Sequence, residues 1–518
     1  MTIARMCVAL ALLLLPGCPS SNGGTDTADG DATDVDSDES SGSDADADAT
    51  EDAEADAADE GTDADAGDRD LHPVVLLGEG GYFGTSAGTL DGLLGPDGFF
   101  AIGAHYADIS DGVGAPLEAG RLYIFDNAPP PATIAGARLV LEPPDGAAAV
   151  DGGFGYEFAG PCDFDADGRP DLAVSNHLWS DAVLTAAGRV VVFWGDPAGG
   201  LSTTRITTHL LSAALRARSD VLGQTVLCAD FDGDTFDDLL ATGQNAGASD
   251  TGLAAFFSGS AAGLPTTETR TLEPPVATNM QYFGSATVWR DLDGDGREDL
   301  AIGGWGLLNG DRTSDPHTGG VLVYAGGDDW TAGPSFRLVP DSADPVQAGT
   351  TIAIADTGSR LFVALGAPGW GGPTPSGAVL VWAAGRAGFE LVPPAVLLPP
   401  AGIEDLGFGN AVAYVPDYHG AGRGALLAGI KYADCDAGHP GTGAVAVFDL
   451  APGGASFVEA PTILCAPSPG PNDAFGSAIA PLGDLDGNGL RDFLVGMEGH
   501  VEGDPFTGVQ TGGVVFFL

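Results

Sequence analysis

Basic side chains are almost missing from this chain. Its 518 residues hold 19 Lys and Arg against 73 Asp and Glu, a formal charge of -54, and Lys431 is the single lysine. That balance argues against nucleic acid or an anionic membrane surface as partner, because a phosphate-binding face needs clustered Lys and Arg. Helix-period patterning is also missing beyond the first twenty residues, which leaves strands and turns as the material of the fold. No nucleophile elbow, zincin motif, P-loop or dinucleotide fingerprint occurs, so the sequence names no catalytic residue. What it has in excess is 81 glycines and 36 prolines, the composition of many short strands joined by turns. The length fits two to four ordinary domains or one large closed β architecture.

The start reads as an export signal over residues 1–17: Arg5 gives the positive end, Val8 to Leu15 the apolar stretch, and Leu15-Pro16-Gly17-Cys18 the cleavage region. The apolar run is too short to span a bilayer. Small residues before a cysteine at this distance resemble a bacterial lipoprotein signal, which implies cleavage before Cys18, its acylation, and a membrane-anchored lipoprotein of the cell envelope or surface. A plain secretory signal is the alternative, and either one takes the protein out of the cytoplasm. Residues 18–70 then form a tract dominated by Asp, as in Asp44-Ala45-Asp46-Ala47-Asp48. With almost no large apolar residue and mutually repelling charges, it is expected to be a disordered stalk; a weak calcium sponge is the other reading, but Asp-Ala alternation builds no cage.

From residue 71 to 518 a unit of roughly 60–70 residues recurs seven times. Each opens on a pair such as Phe83-Gly84, Phe154-Gly155, Leu222-Gly223, Phe283-Gly284, Ala348-Gly349, Phe408-Gly409 or Phe475-Gly476. An Asp-rich or degraded turn follows, then a run such as Asp299 to Gly304, then Gly with a β-branched and aromatic run such as Gly188 to Phe193, then a short fourth segment typified by Arg270 to Leu272. Four short strands per unit predict antiparallel meanders, and meanders repeated radially predict an all-β, seven-bladed β-propeller. The last unit stops after its third strand, and Val74 to Leu77 looks like the missing fourth. An N-terminal strand completing the last blade would close the ring.

Four of the seven turns between first and second strands repeat one spacing of oxygen ligands: Asp163, Asp165, Asp167 and Asp171; Asp230, Asp232, Asp234 and Asp238; Asp291, Asp293, Asp295 and Asp299; Asp484, Asp486, Asn488 and Asp492. Gly168, Gly296 and Gly489 permit the tight wrap that brings such side chains to one point, with Thr235 at the equivalent place. All-oxygen ligands suit calcium and disfavour zinc. At the dissociation constants of extracellular calcium modules, on the order of 10⁻⁴–10⁻³ M, each site adds about 0.5–1.5 kcal/mol at millimolar calcium. Asn488 lacks a charge, so its site is expected to be the weakest.

The Phe-Gly opening, the DxDxDGxxD loop, the Gly-Ala-Pro-like second strand and the Gly-aromatic third strand resemble the FG-GAP repeats of the integrin α-subunit propeller over about residues 72–518. The match is specific in units two, four and seven; in the sixth only Asp417 survives at loop position 1. The resemblance implies a backbone-carbonyl ligand at position 7, here Arg169, Phe236, Arg297 and Leu490, and loops on the lower face. It also implies adhesion or ligand binding, although such repeats occur in enzymes too.

Alternation of strands places the loops between second and third strands on the opposite, upper face. They carry His105, Tyr106, His177, Trp179, Trp305, His317, Trp370, Tyr432, His439 and His500, side chains suited to a glycan or protein ligand, or simply to capping their own blades. Convergence of these histidines on a transition metal, or service of one as a base in polysaccharide cleavage, are further readings. Without Cys7 and Cys18, four cysteines remain with three possible pairings. Cys435 and Cys465 both fall near the upper face and form a plausible bridge in an oxidising compartment, whereas Cys162 and Cys228 end the first strands of neighbouring units and pair only if the gap is narrow. The leading expectation is a calcium-binding surface module for a glycan or protein. The alternatives are a lyase or hydrolase on the same fold, and a structural envelope component with a dedicated partner.

Overall fold

The computed structural model describes residues 71–518 except 96–97, 110–117, 132, 147–151, 248–249, 277–279, 308–317, 328–329, 343–344, 359, 372–375, 386–387, 390–393, 401–406, 436–439 and 503–508. The chain divides into two units, Met1–Asp63 and Ala64–Leu518, and only the second contains described residues. The signal, Cys18 and the acidic tract lie outside them, as do His317 and His439.

The repeats fold into seven antiparallel blades. Blade 1 is built from Ala87–Thr89, Phe99–Ala104, Arg121–Asp126 and Leu139–Leu141. Blade 2 uses Phe154–Cys162, Asp171–Asn176, Arg189–Gly195 and Leu201–His209, and blade 3 uses Val226–Ala229, Asp238–Gly243, Leu253–Phe257 and Arg270–Leu272. Blade 4 follows with Phe283–Arg290, Asp299–Gly304, Gly320–Tyr324 and Phe336–Leu338. Blade 5 comprises Ile352–Asp356, Leu361–Ala367, Ala378–Gly385 and Ala395–Leu397; blade 6 comprises Phe408–Val415, Ala425–Ile430, Ala444–Asp449 and Thr462–Leu464. Blade 7 takes Phe475–Pro481, Phe493–Met497 and Gly513–Phe517 from the end of the chain and Pro73–Leu77 from its start. In that last pairing Pro73 lies opposite Phe517 and Leu77 opposite Gly513. The ring is a seven-bladed β-propeller closed by the N-terminal strand.

The core is not one cluster but a cycle of interfaces. Phe100, Phe125, Leu494 and Phe516 pack blade 1 on blade 7; Phe154, Leu172, Ile124 and Phe193 pack blade 1 on blade 2. The same arrangement recurs between blades 2 and 3, 3 and 4, 4 and 5, 5 and 6, and 6 and 7. Middle strands are therefore buried on both faces and read as unbroken apolar runs, as in Arg189–Gly195.

The repeated glycines have a physical reason. The glycine before each third strand meets the opening residue of the next blade, with parallel bridges at Gly120–Phe154, Gly188–Leu222, Gly377–Phe408, Gly443–Phe475 and, across the closure, Gly512–Phe83. A Cβ on Gly120 would lie 2.2 Å from the Phe154 carbonyl oxygen, and one on Gly443 2.1 Å from that of Phe475. In blades 4 and 7 this contact falls on Gly319 and Gly512, one residue ahead of the glycines that the repeat pattern highlights.

Candidate metal sites and the opposite face

The four Asp-rich turns all join a first strand to a second, so the meander places them on one face. In each, position 1 folds the loop around itself. Asp163 accepts the amides of Asp167 and Gly168 at 3.0 Å each, Asp230 those of Gly233 and Thr235 at 2.7 and 2.9 Å, Asp291 those of Gly294 and Gly296 at 2.7 and 3.0 Å, and Asp484 those of Gly487 and Gly489 at 2.7 and 2.8 Å. Thr235 takes φ 80 where the other loops have glycine, so the wrap is kept there. Position 5 accepts the amide of position 7 throughout: Arg169 to Asp167, Phe236 to Asp234, Arg297 to Asp295 and Leu490 to Asn488.

Carboxylate oxygens come within 4.8 Å of one another in four groups: Asp163, Asp165 and Asp171; Asp230, Asp232 and Asp234; Asp291, Asp293 and Asp295; Asp484, Asp486 and Asp492. Asp167, Asp238 and Asp299 fall outside those groups. Position 9 also pins the loop to the end of the third strand. Asp171 accepts the amides of Phe164 and Gly195, Asp238 those of Phe231 and Gly259, and Asp299 those of Leu292 and Gly326. Burial, reinforced by the neighbouring carboxylates and opposed by those amides, pushes Asp171 up to about 7 and Asp238 up to about 6. Arginines offset part of this crowd of carboxylates, Arg205 reaching Asp165 and Arg169 reaching Asp167 at 2.6 Å each and Arg297 reaching Asp295 at 2.7 Å. Oxygen-only donors around one point are the ligand set of a hard divalent cation, and the loops fit one.

On the opposite face the structure gathers three of the ten expected residues. His105 touches Tyr106 with ring centroids 4.3 Å apart and His177 at 6.1 Å. Tyr82 and Tyr156 complete the cluster, Tyr156 lying 3.9 Å from His177 and 5.5 Å from His105. Burial lowers His177 to about 4; burial and the charges of His177 and Lys431 lower His105 well below the usual range. Both imidazoles are therefore neutral at pH 7. The Thr85 hydroxyl donates to the Tyr82 carbonyl and so accepts from His105 Nδ1 at 2.9 Å.

The other expected residues stand apart. Trp179 donates its indole N–H to Asp145 at 3.2 Å and lies under the Arg189 guanidinium, a structural use. Trp305 stacks on Tyr282 at 3.6 Å, Trp370 packs on the core between blades 4 and 5, and His500 pairs with Asp473 at 2.9 Å. Tyr432 is 48% exposed beside Lys431, which is paired with Glu498. Both disulfides are present, Cys162–Cys228 with Cα atoms 6.0 Å apart and Cys435–Cys465 with 5.9 Å; the gap between the neighbouring first strands is narrow enough. Sequence reasoning missed Tyr82, Tyr156 and Tyr282 because it searched the loops between second and third strands. These three flank the opening pairs Phe83-Gly84, Phe154-Gly155 and Phe283-Gly284, which was the available signal.

Fold and loops together define a seven-bladed β-propeller with Asp-rich turns on one face. Residues 154–193, the first three strands and Asp-rich turn of blade 2, match the FG-GAP repeat. The chain is also similar to integrin alpha-5 of Xenopus laevis, 26% identical over 207 residues, 38% of this chain and 18% of that protein. These matches support an FG-GAP, integrin α-like propeller. The chain spans about a fifth of the length of this relative. Among the described residues no helix is long and apolar enough to cross a membrane.

Proposed function

We propose that this is an exported binding module: a propeller stabilised by calcium in its four Asp-rich loops, held to the envelope through Cys18 and the acidic tract, and presenting its upper face to a glycan or protein ligand. The observation that carries the reading is the division of labour between faces. Repeated carboxylate groups occupy one, and aromatic and neutral imidazole side chains gather on the other, in a fold similar to an integrin α chain. Stacked rings such as Tyr282 and Trp305 offer the flat apolar surface on which sugars and peptide side chains pack.

The test is retention of the Cys18→Ser chain on immobilised polysaccharides and envelope extracts, in calcium and then in EGTA. Retention in calcium that is lost in EGTA and weakened by Trp305→Ala is expected. No retention on any of them would sink a general adhesin and favour a structural component with one dedicated partner. A second reading, a polysaccharide-active enzyme, is favoured by one observation: Tyr156 and Glu157 stand side by side, raised by burial to about 12 and about 7, the kind of adjacent shifted pair that acid–base catalysis uses. Release of new chain ends from a bound polysaccharide would select it.

A further inference from the structure

Two of the four Asp-rich loops are tied to each other. Cys162 stands directly before position 1 of the blade 2 loop and Cys228 two residues before position 1 of the blade 3 loop, and a disulfide joins them. Beyond that bridge the loops exchange hydrogen bonds. The Asp163 amide donates to the Asp237 carboxylate at 2.8 Å, and the Asp237 amide donates back to the Asp163 carbonyl at 3.2 Å. Just past the third strand of blade 3, the Ser260 amide donates to the Phe164 carbonyl at 3.1 Å. Its neighbour Gly259 is held in turn by Asp238, position 9 of the blade 3 loop, at 2.8 Å. Positions 1 and 2 of one loop are thus clamped from positions 8 and 9 of the next.

Asp237 belongs to neither carboxylate group, and the other loops place Pro170, Glu298 and Arg491 at its position. The blade 4 loop meets that of blade 3 through rings, Phe231 on Trp289 at 4.9 Å. The blade 7 loop lies between the turns of blades 6 and 1, which have lost most of their ligands. The tie between blades 2 and 3 has an energetic consequence. Asp163 and Asp230, position 1 of the two loops, both bear on Asp237 with like charge. A cation in either loop offsets that repulsion and steadies Asp237 on the Asp163 amide. Both ions therefore favour the same clamped arrangement, and an element biased from two sites is what couples them. Ordering acts with the same sign, because the second ion meets a loop already fixed. Repulsion between the two ions opposes this, but in exposed loops salt screens it over about 8 Å.

We propose that the loops of blades 2 and 3 bind calcium as a cooperative pair, coupled through Asp237 as a positioning residue. The pairing rests on the calcium reading above and deepens it: the propeller then carries one double site and two single ones. It is independent of the upper-face ligand.

The experiment is a calcium titration of the full chain carrying Cys18→Ser, with the loops of blades 4 and 7 emptied by Asp291→Ala and Asp484→Ala. Two bound ions with a Hill coefficient of at least about 1.4 are expected, the value for about fivefold coupling between two equal sites. Asp237→Ala in this background should still bind two ions, with a Hill coefficient near about 1 and a midpoint at about twofold higher calcium. A purely structural role for Asp237 would weaken binding without flattening the curve. Asp230→Ala, which empties the blade 3 loop, should leave one ion bound at a similarly raised midpoint, and it carries the test if Asp237→Ala does not melt as a folded protein. Two ions bound with no cooperativity, or a steep curve that Asp237→Ala leaves unchanged, would overturn the coupling while the calcium reading stands. No calcium bound at millimolar concentration would overturn both.

Discussion

The strand that closes the ring offers the sharpest test of the architecture. Leu76 lies opposite Val514 in the pairing of Pro73–Leu77 with Gly513–Phe517, is fully buried, and packs in the cluster of Phe83, Phe100, Leu494 and Phe516. Its neighbour Val75 points the other way and is 36% exposed. Leu76→Ala is expected to cost about 2–5 kcal/mol and Val75→Ala under about 1 kcal/mol. The melting temperature is a blunt probe of this. At about 2.1 cal/mol/K per residue over roughly 450 residues, a loss of about 3 kcal/mol moves the midpoint only about 3 °C if the ring unfolds as one unit. Hydrogen exchange is sharper, because opening of the closure exposes its own amides first. Leu76→Ala should speed exchange of residues 73–77 and 513–517 about 100-fold and leave the strands of blade 4 nearly unchanged. Equal acceleration in blade 4, or no difference between Leu76→Ala and Val75→Ala, would refute the idea that the first strand is a local clasp.

Calorimetry in millimolar calcium and in EGTA should differ by about 2–6 kcal/mol if all four loops fill, and Asn488→Asp should tighten the site of blade 7 in a calcium titration. Alanine at both Cys162 and Cys228, or at both Cys435 and Cys465, should each cost about 4 kcal/mol by chemical denaturation, the first slightly more because its separation is 66 residues rather than 30. Burial raises Glu157 to about 7, so the folded chain holds that proton more tightly than the unfolded one. Stability should therefore fall as pH rises from about 4.5 to 7 by at most about 3 kcal/mol, and urea titrations of Glu157→Gln should lack this component. Gln347→Gly should raise stability by about 1 kcal/mol in the same assay, since Gln347 sits at φ 55.

Blade number, strand order and the closing strand were legible because each rests on short-range pattern. Phe154-Gly155 and its counterparts mark where one blade docks on the next, and Gly188 or Gly443 marks where a third strand meets the following first strand. The carboxylate groups of the Asp-rich loops were legible for the same reason, since each lies within nine consecutive residues. The upper face was not. Its cluster joins Tyr82 and His105 of one repeat to Tyr156 and His177 of the next, and repeat-by-repeat reading cannot show which side chains meet across a blade boundary. Nor could spacing reveal that Asp171, Asp238 and Asp299, at position 9 of their loops, hold strand-end amides.

One backbone feature links these two levels. The residue before every opening pair takes positive φ: Tyr82, Gly153, Val221, Tyr282, Gln347, Gly407 and Ala474 lie at 59, 66, 51, 53, 55, 123 and 56°. The chain must reverse there, from the fourth strand at the rim to the first strand at the axis, and seven repeats reach the same left-handed conformation. Only two use glycine. A β-branched Val221 and two tyrosines accept a conformation that L side chains avoid, at a cost of order 1–3 kcal/mol each. Glycine would relieve that strain but remove the side chain. Tyr82 and Tyr282 are the residues that bring rings onto His105 and Trp305. Val221, Gln347 and Ala474 hold the same conformation without such a ring, so the reversal itself imposes the strain, and Tyr82 and Tyr282 are the two positions where the strained residue also carries an aromatic side chain of the upper face.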